Sequence, residues 1–153
     1  MRKWILFSVV LALVVLVVDQ WTKVLIERSF LLGESLPVLP CFALTYVRNQ
    51  GAAWGMFQGF HYVLAGIGIV AILVCLCFWR ALFGTSRWTY PIGGLLFSGI
   101  IGNLIDRIRL SYVVDFLDFH WGDAHFPCFN IADSAICVAV FLLLILQWRT
   151  KES

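Results

Sequence analysis

The chain has 153 residues, of which 61% are hydrophobic and 13% charged, and its formal net charge at pH 7 is +2. Its apolar residues stand in long blocks rather than in the one-faced or alternating patterns of a soluble domain. This composition predicts an integral membrane protein and excludes a soluble globular domain. The sequence also lacks the basic stripe of a nucleic-acid-binding protein, so no nucleic-acid partner is expected.

Four apolar blocks approach the ~20 residues that a helix needs to cross ~30 Å of hydrocarbon. They cover residues 4 to about 26, 61–79, 89 to about 105, and 131–148. We predict four transmembrane helices in a single integral-membrane domain, residues 1–153, because little chain is left over for a separate soluble domain.

The first block has an alternative interpretation as a cleaved signal peptide, because Arg2 and Lys3 precede an apolar run. No small-x-small cleavage site follows that run, and the apolar pattern continues through residues 24–26. We therefore expect the block to stay in the protein as a transmembrane helix.

The lysines and arginines near the ends of the blocks predict the orientation of the chain. One side of the membrane would carry a basic excess with one acid, Glu152; its basic residues are Arg2, Lys3, Arg80, Arg87, Arg149 and Lys151. The other side would mix Arg28, Arg48, Arg107 and Arg109 with nearly all the carboxylates. We expect both termini in the cytoplasm and the aspartates at the extracytoplasmic face, because basic residues concentrate on the cytoplasmic side.

Two longer connections would lie on the extracytoplasmic side. Residues 28–60 include a strand-like run, residues 42–47, followed by the turn residues Asn49, Gln50 and Gly51. Residues 107–129 are rich in Trp, Phe, His and Asp, a composition suited to the lipid headgroup region. The predicted fold is an all-α membrane protein with four transmembrane helices and a small extracytoplasmic β element.

Five of the six aspartates fall between Asp106 and Asp133, and two of them have apolar neighbours. Asp115 lies in a Val-Val-Asp-Phe run, and Asp133 ends a Phe-Asn-Ile-Ala-Asp run. A carboxylate near a membrane helix centre costs at least ~2.5 kcal/mol, so it is retained mainly where it faces a cavity, a partner or a substrate. An apolar setting also raises a carboxyl pKa and lets two neighbouring acids share one proton, which favours acid–base chemistry.

Each of these two acids also has a purely structural interpretation. Asn130 is placed to cap the fourth helix, and Asp133 would then lie in the first turn, where the helix dipole favours a carboxylate. Asp115 would be a loop acid on the wet side of the membrane.

Other polar residues accompany the two acids. Asn103, Asp106 and Arg107 share one face of the third predicted helix. Two interpretations stay open: Asp106 and Arg107 neutralise each other at a helix end, or the group positions a substrate. Asp19 and Lys23 are four residues apart and predict an internal salt bridge in the first helix. We expect that pair to support the site rather than to catalyse.

The cysteines and histidines match no metal-binding or nucleophile motif, so no metal site is predicted. Cys75, Cys77 and Cys137 lie in predicted helices, where small buried hydrophobic side chains are expected. Cys41 and Cys128 lie on the same predicted side of the membrane, but spacing alone does not establish that they pair.

Five motifs follow one another along the chain: Asp19-Gln20-Trp21-Thr22-Lys23, Asn49-Gln50-Gly51-Ala52-Ala53-Trp54, Gly102-Asn103-Leu104-Ile105-Asp106-Arg107, Val113-Val114-Asp115-Phe116 and Phe129-Asn130-Ile131-Ala132-Asp133. With these motifs and four predicted spans, the chain resembles the lipoprotein signal peptidases (signal peptidase II), aspartyl enzymes of the bacterial inner membrane. The resemblance covers nearly the whole chain. Trp54 departs from it, because the family usually has Phe there, and this departure concerns the shape of the loop.

The resemblance implies an intramembrane aspartyl endopeptidase that removes signal peptides from prolipoproteins, cleaving before a diacylglyceryl-modified cysteine, with Asp115 and Asp133 as the catalytic pair. The polar residues expected around the scissile segment are Asn49, Gly51, Asn103, Arg107 and Asn130, and the supporting residues are Asp19, Lys23 and Asp106. No cofactor is required. The expected partners are lipid-modified prolipoproteins and membrane lipid, and the expected form is a monomer with its site at the periplasmic face of the inner membrane.

Two other classes of protein compete with this interpretation. A small proton-coupled transporter would use membrane acids as proton relays, but the four spans show no inverted repeat and no acid at mid-span. A non-catalytic anchoring subunit would explain the spans but not the two apolar-flanked aspartates. Cleavage of a lipid-modified precursor by the purified protein alone would distinguish the three classes.

Overall fold

The computed structural model describes residues 1–51, 56–57 and 59–151. Within these residues the chain forms five helices and four strands, in the order α1 (Arg2–Ser29), β1 (Ser35–Leu39), β2 (Phe42–Asn49), α2 (His61–Cys77), α3 (Trp79–Phe83), α4 (Thr89–Leu110), β3 (Val113–Trp121), β4 (Ala124–His125) and α5 (Ile131–Lys151). The loop expectation for Trp54 lies outside the described residues.

A helix occupies each predicted apolar block, but the second block is divided. α2 ends at Cys77, and the short helix α3 begins at Trp79. The Trp79 ring stacks on Phe83, with centroids 4.3 Å apart, and lies against Gly93 of α4. Because Gly93 has no side chain, the indole fits directly against the α4 backbone.

Helix α4 packs against α1, α2 and α5. Its glycines permit close approach: a Cβ on Gly94 would lie 2.6 Å from the Ser8 hydroxyl of α1, and one on Gly99 would overlap the Ala132 carbonyl of α5. These glycines form a small-residue face on which the neighbouring helices pack. The close packing brings polar side chains from α1, α4 and α5 into one buried cluster.

The four strands form one antiparallel sheet in the order β1-β2-β3-β4. Strand β2 contains the predicted run 42–47 and confirms it. Strand β3 was not predicted, since its segment was interpreted as a headgroup-region loop. Its first four residues, including Asp115, are all buried, and a strand covered on both faces reads as a continuous apolar run without alternation.

The sheet is attached to the helices by a core of four buried side chains: Ile26 of α1, Tyr46 of β2, and Val114 and Phe116 of β3. Burying each such side chain contributes about 1.5–3 kcal/mol relative to leaving it exposed. Between Leu44 and Val47 the pairing of β2 with β3 shifts register in a bulge, which changes the direction of the following side chains. With this geometry the side chains of Asn49 and Asp115 face the same cavity.

In the part of the chain that the structure describes, two helices are long and apolar enough to cross a bilayer, α1 over Arg2–Ser29 and α5 over Ile131–Arg149, each with a mean hydropathy of 2.2. Within the most apolar 18-residue stretch of each helix, only 6% of α1 and 17% of α5 is buried inside the protein. The apolar surface that these helices leave exposed therefore favours contact with an apolar environment over contact with water. Helix α2 is apolar but only 17 residues long, whereas α4 carries polar and charged residues. The described chain is thus mostly helical, with a small antiparallel sheet.

Candidate active site

Asp115 and Asp133 come from different elements and line the same cavity, which has a volume of about 770 Å³. Asp115 is the third residue of β3 and is only 2% exposed. Asp133 lies in the first turn of α5 and is partly buried. Two residues predicted at the same face of the membrane, one in a connection and one at a helix start, thus contribute carboxylates to one site.

Asn130 joins the two acids. Its amide Nδ2 donates to Asp115 Oδ1 at 2.7 Å, while its Oδ1 accepts the backbone N–H of Asp133 at 2.9 Å. In return, Asp133 Oδ2 accepts the backbone N–H of Asn130 at 3.3 Å. This reciprocal pair is a capping box, which confirms the predicted cap of the last helix. The cap and the contact with Asp115 use the same side chain, so the structural role does not exclude a catalytic one.

Two further asparagines donate to the outer oxygens of these carboxylates. Asn49 Nδ2 donates to Asp115 Oδ2 at 2.9 Å, and Asn103 Nδ2 donates to Asp133 Oδ1 at 2.7 Å. Hydrogen bonds of this kind restrict each carboxylate to one orientation. Both acids are therefore held by neutral amide donors rather than neutralised by a direct salt bridge.

Asp115 has an unusual protonation equilibrium for an aspartate. Burial and the negative charge of Asp133 together raise its pKa to about 7, although the hydrogen bonds from Asn49 and Asn130 oppose the change. A carboxyl group with this pKa holds its proton through a large part of the neutral range. The two acids can therefore share one proton, as acid–base catalysis by a carboxyl pair requires.

Beneath the carboxylates lies a buried cluster of charges, the Asp19–Lys23–Asp106 triad. Lys23 Nζ lies 3.0 Å from Asp19 Oδ2 and 2.9 Å from Asp106 Oδ2. The predicted Asp19–Lys23 salt bridge is confirmed. Of the two interpretations of Asp106, mutual neutralisation with Arg107 is wrong, because Asp106 pairs with Lys23 across the helix interface while Arg107 lines the cavity.

Arg107 connects α4 to the end of β2. Its Nη2 donates to the Gly51 carbonyl at 3.3 Å, and its Nη1 reaches the Asn103 carbonyl at 3.5 Å. The Gly51 N–H in turn donates to Asn49 Oδ1 at 3.0 Å. The predicted residues Asn49, Gly51, Asn103 and Arg107 thus form one connected rim around the acids.

This arrangement has counterparts among known proteins. The family described as signal peptidase (SPase) II matches residues 11–149. The chain belongs to the signal peptidase II family. A lipoprotein signal peptidase of Geobacter metallireducens is 45% identical over 151 residues, covering 96% of this chain and 93% of the relative, and one of Halothermothrix orenii is 38% identical over 145 residues, covering 94% and 96%.

Solved structures agree with the sequence relatives of this signal peptidase II family member. A bacterial membrane enzyme determined by the in meso method at 2.3 Å superposes with a TM-score of 0.83 at 34% identity, covering 96% of this chain and 90% of that one. A second, at 1.9 Å, has a TM-score of 0.82 at 34% identity, with 92% of each chain covered. The chain thus shares its fold with solved bacterial membrane enzymes.

The outer wall of the cavity in this family member is apolar and includes Phe126, Pro127 and Phe129. Cys128 also lines it, but burial and the charges of Asp118 and Asp115 raise the pKa of its thiol to about 12. A thiol with this pKa stays protonated at neutral pH and is a poor nucleophile. All five cysteines are free, so Cys41 and Cys128 form no disulfide here.

Gln20 was not predicted to contribute to the site, although it lies inside the motif of residues 19–23. Its Nε2 contacts Asp19 Oδ2 at 3.2 Å and Asp106 Oδ1 at 3.1 Å, bridging the two acids of the triad. Only its position next to Asp19 could have indicated this role. The described residues contain no group of three or more His, Cys, Asp and Glu side chains placed to hold a metal ion.

A second missed group links all four strands across the sheet. His125 Nδ1 lies 2.8 Å from Asp118 Oδ1, Thr45 Oγ1 donates to Asp118 Oδ2 at 2.8 Å, and Ser35 Oγ lies 2.9 Å from Thr45 Oγ1. Burial opposes ionisation of Asp118, but hydrogen bonds from His125 and Thr45 lower its pKa overall. Through these contacts Asp118 stabilises the sheet. They assign it no part in the site.

Proposed function

We propose that this chain is an aspartic endopeptidase that removes signal peptides from prolipoproteins, cleaving before the diacylglyceryl-modified cysteine, with Asp115 and Asp133 as its catalytic residues. The observation that carries the proposal is the pair of amide-held carboxylates facing one cavity. Membership of the signal peptidase II family supports the substrate class. The direct test is whether the purified protein, alone in detergent, cleaves a lipid-modified precursor.

In the proposed mechanism the two carboxyl groups share one proton. The ionised group takes a proton from water as that water attacks the scissile carbonyl, while the protonated partner donates to the carbonyl oxygen. The raised pKa of Asp115 supports a shared proton near neutral pH. Because the apparent pKa values belong to the pair, the mechanism assigns the proton to the dyad rather than to one residue.

The polar rim would orient the scissile segment over the acids. In the free protein, two nitrogens of Arg107 donate to backbone carbonyls of the site, so Arg107 supports the position of Gly51. Its remaining N–H groups would donate to a substrate carbonyl. Asn49, Asn103 and Asn130 donate to the carboxylates in the free protein. A substrate would therefore bind polar atoms of these asparagines that do not contact the carboxylates, or it would replace some of these hydrogen bonds.

The proposed setting is the inner membrane of a bacterium. Helices α1, α2, α4 and α5 would each cross the bilayer as one integral-membrane domain, with both termini in the cytoplasm and the cavity at the periplasmic face. The exposed apolar surfaces of α1 and α5 support direct contact with membrane lipid. The dyad and its supporting residues all come from this chain, which is consistent with a monomer as the active form.

The topology predicts the activity of reporter fusions. A reporter that works only outside the cytoplasm should be active when fused after Gly55 or Asp123 and silent after Gly84 or Lys151, because basic residues stay inside. Enzyme assays on whole cells measure this. An active fusion after Gly84 would invert the proposed orientation.

The shared proton predicts the pH dependence of cleavage. A raised carboxyl pKa means that the proton is present below about pH 7 and is lost as the pH rises through that value. We therefore expect kcat/KM to fall about tenfold per pH unit on the alkaline side, once both carboxylates are ionised. A pH–rate profile with a lipid-modified precursor measures this, and constant activity from pH 6 to 9 would contradict a shared proton.

A further inference from the structure

Arg48 lies near the end of β2, one residue before Asn49, and two tyrosine rings hold its guanidinium group. Its Cζ lies 5.5 Å from the centroid of the Tyr46 ring and 4.9 Å from that of Tyr112. Its Nε donates to the Tyr46 hydroxyl at 2.8 Å. A guanidinium group that stacks on aromatic faces and also donates a hydrogen bond has a restricted position. Arg48 is therefore held in place although it is exposed to solvent.

The two tyrosines are attached in turn to helix α1. The Tyr112 hydroxyl donates to Glu27 Oε1 at 3.0 Å, and the Tyr46 hydroxyl donates to the same oxygen at 3.4 Å. Tyr46 is only 2% exposed and belongs to the core that attaches the sheet to the helices. Together with Arg48 these three side chains form one cluster, the Arg48 clamp. The clamp joins α1, β2 and the segment between α4 and β3.

The clamp and the proposed catalytic site lie on opposite faces of the same strand pair. Successive side chains of a strand point to opposite faces. Tyr46 and Arg48 therefore share the face that packs toward α1. Asn49 faces the cavity instead, where its Nδ2 donates to Asp115 Oδ2 at 2.9 Å.

Asn49 needs support from outside the strand because it is the last residue of β2. Strand ends open locally at a low cost in free energy. In the ladder of β2 with β3, Asn49 pairs with Val113. The residue before Val113 is Tyr112, on whose ring Arg48 lies. Arg48 thus closes the ladder at the position where Asn49 has to stay in place.

We propose that Arg48 is a positioning residue for the dyad: its clamp holds the end of β2 against β3 and thereby keeps Asn49 in contact with Asp115. This inference rests on the proposed function of the dyad. Arg48 acts through Asn49 and has no contact with the reacting atoms. Loss of the clamp should separate Asn49 from the carboxylate and remove a hydrogen bond that favours the ionised form.

The test is Arg48→Gln in the full-length protein. Because the hydrogen bond from Asn49 lowers the pKa of Asp115, its loss should move the alkaline midpoint of the pH–rate profile upward. We expect a shift of about one pH unit, the order that one hydrogen bond to a charged group supports. Asn49→Ala removes the same hydrogen bond directly and should shift the midpoint in the same direction. Arg48 is exposed, so its substitution should leave the protein folded.

Charged groups from three helices also act on Asp115, and the test leaves them unchanged. The negative charge of Asp133 in α5 raises the pKa of Asp115, and the positive charge of Lys23 in α1 lowers it. Arg107 of α4 interacts with the same carboxylate. Removing the positive charge of Arg48 would itself raise the pKa, so the position of the strand has to be separated from charge.

Two variants make that separation. Tyr46→Phe removes the hydroxyl that accepts from Arg48 and changes no charge, and it should move the midpoint upward as well. Arg109→Gln removes a positive charge from an exposed position in the last turn of α4, and it should leave the midpoint unchanged. If Tyr46→Phe has no effect, or if Arg109→Gln shifts the midpoint as far as Arg48→Gln does, charge rather than position is responsible and the proposal fails.

A double variant tests whether Arg48 acts through Asn49. Adding Arg48→Gln to Asn49→Ala should produce no further shift, because residues that act through one contact are not additive. Additive shifts would overturn the proposal. The infrared band of the protonated carboxyl group, identified by its loss in Asp115→Asn, reports the same midpoint without cleavage. A shifted band in a protein that does not cleave would contradict the proposed function alone, whereas an unshifted band in Arg48→Gln would contradict the clamp.

Discussion

Asp115→Asn and Asp133→Asn are each expected to lower kcat/KM for a diacylglyceryl-modified precursor by at least about 10³-fold, within the range of general acid–base contributions. Asparagine preserves the volume of the side chain but can neither take a proton from water nor hold the shared proton. The variants should stay folded, because Asn keeps the side-chain volume and one acceptor oxygen, but its NH₂ group would face a donor at either position, so a lower unfolding temperature is expected. Initial rates and thermal unfolding of the purified variants measure the two effects separately.

Asp123→Asn is the matched control for this pair. Asp123 is exposed in the turn between β3 and β4, and its substitution should change the rate by no more than about twofold, as for surface positions in general. Asp118→Asn should retain cleavage while weakening the sheet, since Asp118 bonds to Thr45 and His125. Substantial turnover by either dyad variant would exclude the proposed catalytic pair.

A precursor whose cysteine is unmodified is expected to be cleaved far more slowly than its diacylglyceryl form. Acyl burial contributes ~0.8 kcal/mol per CH₂, so four buried groups correspond to ~3 kcal/mol, or roughly 200-fold in kcat/KM. Binding energy from a remote group of this kind can align the scissile bond over the dyad. The apolar cavity wall around Phe126 and Phe129 supports contact with such a chain.

The comparison needs one enzyme preparation and two precursors that differ only in the lipid. Initial rates at substrate concentrations well below KM give kcat/KM for each. A dialkyl-modified cysteine with shorter chains is the control, and its rate should fall between the two. Equal rates for the lipidated and unmodified precursors would mean that the lipid is not recognised and would favour a general membrane aspartyl protease.

Much of the architecture was predictable because apolar helices are defined by local composition. Long apolar blocks located α1, α2, α4 and α5, and the spacing of Asp19 and Lys23 indicated a salt bridge that the structure contains. Strand β3 escaped prediction because its first four residues are covered on both faces and lack alternation. The division of the second block at Phe78 also escaped, since it depends on Trp79 packing against Gly93, a contact between separate elements.

The chemical groups of the site were predictable from local patterns: two aspartates with apolar neighbours, an asparagine that caps a helix, and a buried acid–base pair. These features follow from residue spacing and from the cost of placing charge near hydrocarbon. Which of these groups come into contact depends on the packing of separate elements. The pairing of Asp106 with Lys23 instead of Arg107, and the convergence of Asn49, Asn103 and Asn130 on the two carboxylates, depend on close packing along α4 and on the register of β2 with β3. Neither interhelical approach nor strand register is encoded by the spacing of residues within one segment.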